Sequence, residues 1–499
     1  MTLHFGWLIV GVIVYLTLLL GILAVTGKIP SGKQGSEFFL ARDGKRGLHP
    51  LLLLISYAAT VYSAFTVVGM PGFIYGRGVG AYGFIVIAQL LQVACILLFG
   101  FPLWKKAQQI PGATSPIEVV SSCYRSPRLG VALTIATVIF VIPHVALQLA
   151  AMGKLLSGVT NGGIHYSLGV GTILVVMILY SEFGGFRGVV LTDVIQFALI
   201  LVGVVALAVV FLLQYFGGSF TTLFEQLRNS DNSSLLATPG PTGFYTTPML
   251  ISNCLFIGLW PIGHPSFSVR FLAQSRPIGL KYLVVGMAFL PAIMFLPALI
   301  IGLGGAVIFP DLDSPDLIAG QVLSGVMSHG GPAMMVLGFL FVIAALAGAM
   351  STCDSQALAM GQIFSRDVIR GVVAPKISPK REILCARTAI VAVFLTSYFV
   401  GMIKLDFINK LGVLSGMGTA VLVPTYLGIR LKCPSPYAAF ASLIGGYTIL
   451  LLGETKVMPN NMVLGFHNGA TAIVAATVIY SIISLITNHH ANSVKSSSL

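Results

Sequence analysis

The sequence predicts an all-α integral membrane protein of about thirteen transmembrane helices, and three observations support this fold class. The first is composition: the 499 residues are 56% hydrophobic and 9% charged, with a mean hydropathy of +0.94. The second is a series of apolar stretches long enough to cross a bilayer, and the third is an uneven distribution of positive charge. Because soluble domains carry roughly a quarter charged residues, we expect lipid to be the main solvent of this chain.

About thirteen apolar stretches account for nearly the whole chain, since a spanning helix needs roughly 20 predominantly apolar residues. We number them spans 1 to 13 in chain order. Span 1 has neither a basic segment before it nor a small-residue cleavage site after it, so we interpret it as a retained helix rather than a signal peptide. The stretches begin near Phe5, Pro50, Tyr82, Leu129, Leu168, Gly188, Thr246, Tyr282, Pro332, Arg387, Phe407, Tyr437 and Ala470.

Positive charge is concentrated in alternate loops. If the N-terminus is outside, the loops assigned to the cytoplasm carry 22 of the 28 Lys and Arg residues, and the outer segments carry 6. Membrane proteins retain Lys and Arg on the cytoplasmic side. The net charge of +13 therefore indicates orientation in a plasma (inner) membrane rather than nucleic-acid binding. It predicts an outside N-terminus, a cytoplasmic C-terminus and an odd number of spans.

Two spans are interrupted by clustered Gly and Pro residues. The interruptions fall at residues 56–72 in span 2 and at residues 258–266 in span 7, five spans apart. Such a pair is typical of inverted-repeat transporters, whose discontinuous helices expose free carbonyls and amides to ions and solutes. An ordinary proline kink, packed by neighbouring helices, is the alternative for either span alone.

The spacing of the interruptions predicts two inverted repeats of five helices each. The polar tail after span 13 is expected to lack regular structure. No segment is long enough for a separate soluble domain, so functional residues are expected within the membrane. The predicted units are residues 1–48 (span 1 and a cytoplasmic loop), 49–216 (repeat 1, spans 2 to 6), 217–245 (an outer loop), 246–430 (repeat 2, spans 7 to 11) and 431–499 (spans 12 and 13 and a short cytoplasmic tail).

Two acidic residues, Asp193 and Asp354, lie clearly within spans. An ionisable group inside the bilayer is costly and is a functional hypothesis by default. Ser351, Asp354 and Ser355 follow the i, i+3, i+4 spacing of one helical face. Because small hard cations prefer carboxylate, hydroxyl and carbonyl oxygens, this pattern predicts a ladder of cation ligands.

Structural roles are the alternative for the same residues. The hydroxyls of Ser351 and Thr352 would then bond to carbonyls of their own helix. Each aspartate would pair with a nearby arginine, for which Arg187 is a candidate, or cap a helix. The sequence leaves these interpretations open.

Three further polar residues lie at apolar depth. His144 and His264 stand near prolines, and Gln148 follows His144 by one helical turn. For the histidines a structural hydrogen bond and a proton relay are the two interpretations, and Gln148 either faces a solute or joins helices. No nucleophile, base and orienting group occur together, and the six cysteines show no paired spacing, so neither an enzyme nor a metal centre is expected.

Several separated motifs, in order along the whole chain, resemble those of the sodium:solute symporter family. That family includes proline, pantothenate, sugar and monocarboxylate permeases, and the resemblance implies ion-coupled transport by alternating access. The matching segments are residues 36–42 (first cytoplasmic loop), 184–188 with 192–196 (fifth-to-sixth helix signature), 263–271 (seventh helix) and 349–352 with 365–367 (ninth helix).

The resemblance also implies site residues. The family's commonly shared sodium ion is bound by carbonyls at the break in helix two and by carbonyl and hydroxyl groups of helix nine. By position these ligands fall on Ala59, Tyr62, Gly348, Ser351 and Thr352. A second sodium, as in some members, would fall on Asp193, Asp354 and Ser355. We assign substrate contacts to Tyr57, Ser63, Gln148 and His264.

The substrate class follows from finer resemblances. Residues 143–154 and 351–356 look like monocarboxylate permeases, and residues 310–317 look like pantothenate permeases, so we expect sodium-driven import of a small carboxylate. Symport of proline or another amino acid is the alternative, although Val61 stands where proline permeases carry an aspartate. A transporter-like membrane sensor is the alternative from another class. The expected partners are the small-molecule substrate, co-transported sodium and the lipid bilayer, without nucleic acid; the oligomeric state is not predicted.

Overall fold

The computed structural model describes residues 5–26, 38–41, 47–159, 163–181, 185–403, 405–454, 462–463 and 465–497. These residues are almost entirely helical, which confirms the predicted all-α class. A two-stranded antiparallel sheet joins β1 (Met462–Val463) to β2 (Phe466–His467) in the connection before the last helix.

The helices follow the apolar stretches closely. Helix α4 continues through a π-helical segment (Ile96–Gly100) into α5, and α15 continues into another (Phe364–Val373). The helices are α1 Phe5–Thr26, α2 Pro50–Val61, α3 Met70–Arg77, α4 Val79–Cys95, α5 Phe101–Ala107, α6 Pro116–Cys123, α7 Pro127–Val159, α8 Tyr166–Ser181, α9 Gly185–Phe216, α10 Phe220–Arg228, α11 Thr247–Gly263, α12 Pro265–Ala273, α13 Ile278–Ile308, α14 Ile318–Ser328, α15 Pro332–Ile363, α16 Pro379–Gly401, α17 Leu405–Ala420, α18 Val423–Leu427, α19 Pro436–Glu454 and α20 Asn468–Ser497.

Each of the predicted stretches contains a helix. Among the described residues, 8 helices are long and apolar enough to cross a membrane, or 9 when the bent pair α2 and α3 counts as one span. Three shorter apolar helices, in spans 1, 5 and 7, fall below that length. The membrane-spanning character is therefore confirmed, while the number of thirteen and the orientation stay predictions.

Both predicted interruptions are present. In span 2, α2 ends at Val61, and the chain bends by 55° before a π-helical segment (Phe65–Gly69) leads into α3. In span 7, α11 ends at Gly263, and His264 is extended (φ −102°, ψ 110°) before α12 begins at Pro265. A residue that precedes proline is disfavoured in the α region, so Pro265 accounts for the second break.

Packing between spans repeats after a shift of five. The contact between spans 4 and 11 corresponds to the contact between spans 9 and 6. Likewise, the contact between spans 2 and 6 corresponds to the contact between spans 7 and 11. Spans 4 and 9, which are equivalent to each other, are also in contact. An odd number of helices per repeat makes the second repeat run in the opposite sense across the membrane. This is the packing expected of an inverted five-helix repeat; the boundaries proposed for the repeats stay predictions.

Some local structure differs from expectation. The polar tail was expected to lack regular structure, but α20 runs to Ser497. Three loops contain short helices that apolar stretches could not reveal: α6, α10 and α14. Of these, α10 and α14 are amphipathic helices that bury one side only, with Leu223 and Leu227 as the buried positions of α10. Because they are short and partly polar, a search for membrane-spanning segments assigns their sequences to loops.

Candidate functional site

The break in span 2 leaves helical carbonyls that span 9 satisfies. A helix has no internal partners for its last carbonyls. The Ala59 carbonyl accepts a hydrogen bond from Ser351 Oγ at 2.8 Å, and the Thr60 carbonyl accepts one from Thr352 Oγ1 at 3.2 Å. The two hydroxyls also lie 3.2 Å and 3.1 Å from the Gly348 carbonyl oxygen. Oxygens of α2 and α15 thus converge at one buried point.

Gly348 permits this close approach. A Cβ at Gly348 would lie 2.9 Å from the Ser63 carbonyl carbon and 3.0 Å from the Ala64 nitrogen. Both are backbone atoms that cannot rotate away, so any side chain would push the broken segment off α15.

The predicted first sodium ligands are therefore brought together. Ala59, Gly348, Ser351 and Thr352 are joined by direct hydrogen bonds, and Tyr62 caps α2 with a non-helical backbone (φ −89°, ψ 85°). Carbonyl and hydroxyl oxygens at the negative end of a helix dipole suit a small hard cation. The structural alternative, hydroxyls bonded to their own helix, holds only in part, because both also bond across to α2.

Asp193 belongs to a buried ion pair. Its Oδ2 accepts hydrogen bonds from Ser56 Oγ at 2.5 Å and from Arg270 Nη2 at 2.9 Å. The side chains of Arg270 and Asp193 are 1% and 0% exposed. Arg270 Nη1 also donates to the Ser266 carbonyl at 2.6 Å, which ties the first turn of α12 to the pair.

The second group of predicted sodium ligands shares this ion pair. Ser355 Oγ accepts from Arg270 Nη2 at 2.8 Å and from Thr60 Oγ1 at 3.1 Å. Asp354, fully buried on α15, is a second carboxylate within electrostatic reach of Arg270. Asp193, Asp354 and Ser355 are thus neighbours, with a guanidinium among them. If both carboxylates are ionised, this cluster carries a formal charge of −1.

Arg270 is the residue that sequence reasoning missed. The charge tally placed it in a cytoplasmic loop, but it is fully buried in α12, and Arg187, the proposed partner, is exposed. Its partner lies 77 residues away in the chain, so no local spacing could reveal the pair. An arginine directly after a proline break inside an apolar stretch was the available signal.

Polar side chains form a cluster between the two breaks. Gln148 Nε2 lies 3.5 Å from Ser63 Oγ and 3.5 Å from His144 Nε2. The rings of His144, Trp260 and His264 form a triangle with centroid distances of 5.1, 5.8 and 6.2 Å. We call these five residues, from α7 and the two breaks, the central cluster. Trp260 was absent from the predicted substrate residues.

The central cluster has unused hydrogen-bonding capacity. Gln148 Oε1, Trp260 Nε1 and His264 Nε2 are buried atoms without a hydrogen-bond partner in the described part of the chain. His264 Nδ1 lies 2.8 Å from Ser266 Oγ. An unpaired buried polar group is costly, so these atoms are able to bond a polar group that enters the cluster.

Tyr57 is set apart from the other predicted substrate residues. Its ring packs on Phe267 and Phe271 at centroid distances of 5.1 and 6.1 Å, and its hydroxyl lies 3.5 Å from Gln92 Oε1. Phe267 in turn packs on His264 at 5.4 Å. Ser63, Gln148 and His264 are therefore brought together, whereas Tyr57 lies behind Phe267.

Known proteins resemble this chain in sequence and in fold. The model of the sodium:solute symporter family matches residues 38–446. The sodium/pantothenate symporter of Haemophilus influenzae is 27% identical over 89% of this chain and 90% of its own, and sodium/proline symporter 2 of Staphylococcus saprophyticus is 24% identical over 91% and 88%. A substrate-bound, outward-open Na+-coupled sialic acid symporter superposes with a TM-score of 0.78 at 18% identity, covering 96% of this chain and 97% of that one. The chain belongs to the sodium:solute symporter family.

Proposed function

We propose that this chain imports a small organic carboxylate together with sodium, by alternating access across the plasma (inner) membrane. The observation that carries the sodium part is the convergence of the α2 carbonyls with the Ser351 and Thr352 hydroxyls. Membership of a family of sodium-coupled transporters, rather than enzymes, supports the same conclusion.

The proposed first sodium site would couple ion binding to conformation. Its ligands belong to α2 and α15, so it is complete only while these helices touch. An ion that binds one conformation more tightly than another shifts the equilibrium by that difference in affinity. Sodium would therefore favour the conformation in which the break in span 2 rests on span 9. Asp193 and Arg270 hold the neighbouring turn of α2 through Ser56, which would keep the carbonyls aimed at the ion.

A second sodium near Asp193, Asp354 and Ser355 remains a proposal. With both carboxylates ionised, the cluster including Arg270 has a formal charge of −1, which supports this site because a buried net charge needs compensation. Ser355 Oγ would supply a further oxygen ligand. Asp193 already pairs with a guanidinium at 2.9 Å, and Asp354 would supply a second carboxylate.

The proposed substrate contacts favour a carboxylate. Trp260 Nε1 is a hydrogen-bond donor only, and His264 Nε2 donates in one tautomer. The first turn of α12 adds the positive end of a helix dipole beside His264. No acidic side chain belongs to the central cluster, so an ammonium group would find only neutral acceptors there. The lack of an acidic side chain to pair with an ammonium group disfavours an amino acid as substrate, although relatives carry the name sodium/proline symporter.

Uptake into proteoliposomes tests the proposal. Labelled lactate, pyruvate, acetate, pantothenate, proline and glucose would be offered under an inward sodium gradient, with potassium and proton gradients as controls. Sodium-driven accumulation of a carboxylate, without proline or glucose uptake, is expected. Accumulation of proline alone would replace the substrate assignment, and uptake that ignores sodium would refute coupling.

A further inference from the structure

A groove lies at the end of span 3, outside the site described above. It runs between α5 and the short 3₁₀ segment Gly428–Arg430 that follows α18, and its volume is about 550 Å³. Lys105, Lys106 and Arg430 line it, on the side that the charge distribution predicts to be cytoplasmic. Two elements distant in sequence thus present three cations to one space.

The three cations have no acidic partner among the residues that the structure describes. Within the described ranges, no Asp or Glu oxygen lies within 4.0 Å of Lys105, Lys106 or Arg430. The residues that line the groove include no acidic side chain. Like charges gathered in one concavity repel each other and favour a bound anion.

The rest of the groove is apolar and aromatic. Leu97 and Phe101 precede the cations along the same helix, and Leu97 is 51% exposed although it lies in an apolar span. Trp104 also lines the groove, and its Nε1 donates to the Gln274 carbonyl at 2.8 Å, which fixes the ring. Trp is enriched where a membrane meets water. Along the groove, the apolar side chains are therefore followed by the interfacial tryptophan and then by the three cations.

We propose that this groove binds an anionic phospholipid of the cytoplasmic leaflet. The phosphate and headgroup would lie among Lys105, Lys106 and Arg430, and an acyl chain would lie along Leu97 and Phe101. Basic pockets between transmembrane helices on the cytoplasmic side are suited to such headgroups. A soluble phosphate would use the cations but leave the apolar part uncovered, so the combination points to a lipid. The inference does not depend on the transported solute.

Quenching of Trp104 fluorescence by brominated lipids tests the site. The chain has three tryptophans, and a Trp7→Phe, Trp260→Phe variant keeps Trp104 as the only one. The full-length variant in mixed micelles would be titrated with brominated phosphatidylglycerol or brominated phosphatidylcholine. We expect half-quenching at a several-fold lower mole fraction of the anionic lipid. Added inorganic phosphate at millimolar concentration should leave that quenching unchanged.

A matched pair of triple variants locates the binding. Lys105→Gln, Lys106→Gln, Arg430→Gln should abolish the preference for phosphatidylglycerol. Lys376→Gln, Lys380→Gln, Arg381→Gln removes the same charge near the start of α16 and should retain it. Single Lys105→Gln and Arg430→Gln variants would be measured if the triple variant does not fold, and each should weaken the preference.

Three results would overturn the proposal. Equal quenching by the two lipids would show that the groove does not select anions. If the preference for phosphatidylglycerol survives in the groove variants, or is lost equally in the control variant, the lipid binds elsewhere. Displacement of the brominated lipid by inorganic phosphate would mean a site for a soluble anion.

Discussion

At the scale of single residues, Gly348 is the position where one added carbon should matter most. A Cβ there would meet the Ser63 and Ala64 backbone at 2.9 to 3.0 Å, so Gly348→Ala should force the broken helix away from Ser351 and Thr352. We expect the sodium concentration for half-maximal uptake to rise by about tenfold or more, equivalent to at least 1.4 kcal/mol of lost binding. Gly320→Ala, with no atom within 4 Å of its Cβ, is the control and should behave as the unaltered chain.

The ion pair of Arg270 and Asp193 allows a double-mutant cycle. Removing one partner of a buried pair costs about 3–5 kcal/mol because the other charge stays buried and uncompensated. Arg270→Gln and Asp193→Asn should each lower the melting temperature of the purified protein strongly. The double variant should be more stable than the sum of the single losses predicts. Strictly additive losses would mean that the two side chains do not depend on each other.

Sequence reasoning reached the residues of the proposed first sodium site, with Ala59 and Gly348 supplied by the family resemblance, but it missed Arg270 and Trp260. Ser351, Asp354 and Ser355 stood out because their i, i+3, i+4 spacing is local. Arg270 pairs with Asp193 only through tertiary packing. From the sequence alone, Arg270 was therefore assigned to a loop. Trp260 was passed over for a related reason, since an aromatic residue in an apolar span gives no sign that its indole nitrogen lacks a partner.

At the scale of helices, α6 is joined to the end of span 9 by a network of ion pairs. Arg366, in the π-helical extension of α15, bonds Glu118 of α6 at 3.1 Å and Glu382 of α16 at 3.0 Å. Arg370 adds a bond to Glu382 at 2.9 Å, and Ser115 Oγ donates to Asp367 Oδ2 at 2.6 Å. The helix that carries the proposed sodium ligands is thereby anchored at its far end.

Glu382 is the residue on which this network depends most. Its side chain is 2% exposed and bonds two guanidinium groups, so Glu382→Gln leaves Arg366 with one fewer carboxylate in a buried position. Loss of such a partner costs about 3 kcal/mol or more. A clear drop in melting temperature is expected by thermal unfolding in detergent. Glu225→Gln, on the exposed face of α10, should leave it unchanged; an equal drop in both would argue against the network.

The breaks were predictable at this scale, while the loop helices were not. Pro265 forces the preceding residue out of the helical region. The break in span 2 lies instead at Tyr62 and Ser63, inside the predicted range but before Gly69, Pro71 and Gly72, which continue as helix. The short helices α6, α10 and α14 lie between spans and owe their position to packing on neighbours. Their sequences carry no signal as strong as an uninterrupted apolar run.

At the scale of the whole molecule, charge balance connects ion number to membrane potential. One sodium moving with one monocarboxylate carries no net charge, whereas two sodium ions carry +1. With both Asp193 and Asp354 ionised, the formal charge of their cluster is −1, and we therefore expect two. An inside-negative potential of 100 mV should then add about 2.3 kcal/mol to the driving force, or roughly 50-fold in accumulation at equilibrium.

A potassium diffusion potential across proteoliposomes measures this effect. Carboxylate uptake should rise when the interior is made negative, and Asp354→Asn should remove that stimulation. Asp311→Asn, in an exposed loop, is the control that should keep it. Uptake by the unaltered chain that does not respond to potential would favour a single sodium.

Fold class and family followed from the sequence because composition, apolar length and spaced motifs are properties of the chain itself. The five-span shift in packing agrees with the repeat that the breaks predicted. The number of crossings, their orientation and the substrate depend on the surrounding membrane and on which solute fills the central cluster. Hydropathy and charge distribution predict the first two, and the substrate does not follow from either.

The central claim is that Ser351 and Thr352 bind the coupling sodium. The most direct measurement is the sodium dependence of uptake by the Ser351→Ala, Thr352→Ala variant, together with binding of labelled sodium to the purified protein. Thr388→Ala, Thr396→Ala is the matched control, because those hydroxyls are exposed and bond only their own helix in the described part of the chain. Each hydrogen-bonding group lost from a charged partner costs about 1.5–3 kcal/mol, so the half-saturating sodium concentration should rise by more than tenfold while the protein remains folded. Unchanged sodium dependence and binding in the folded variant would contradict the account.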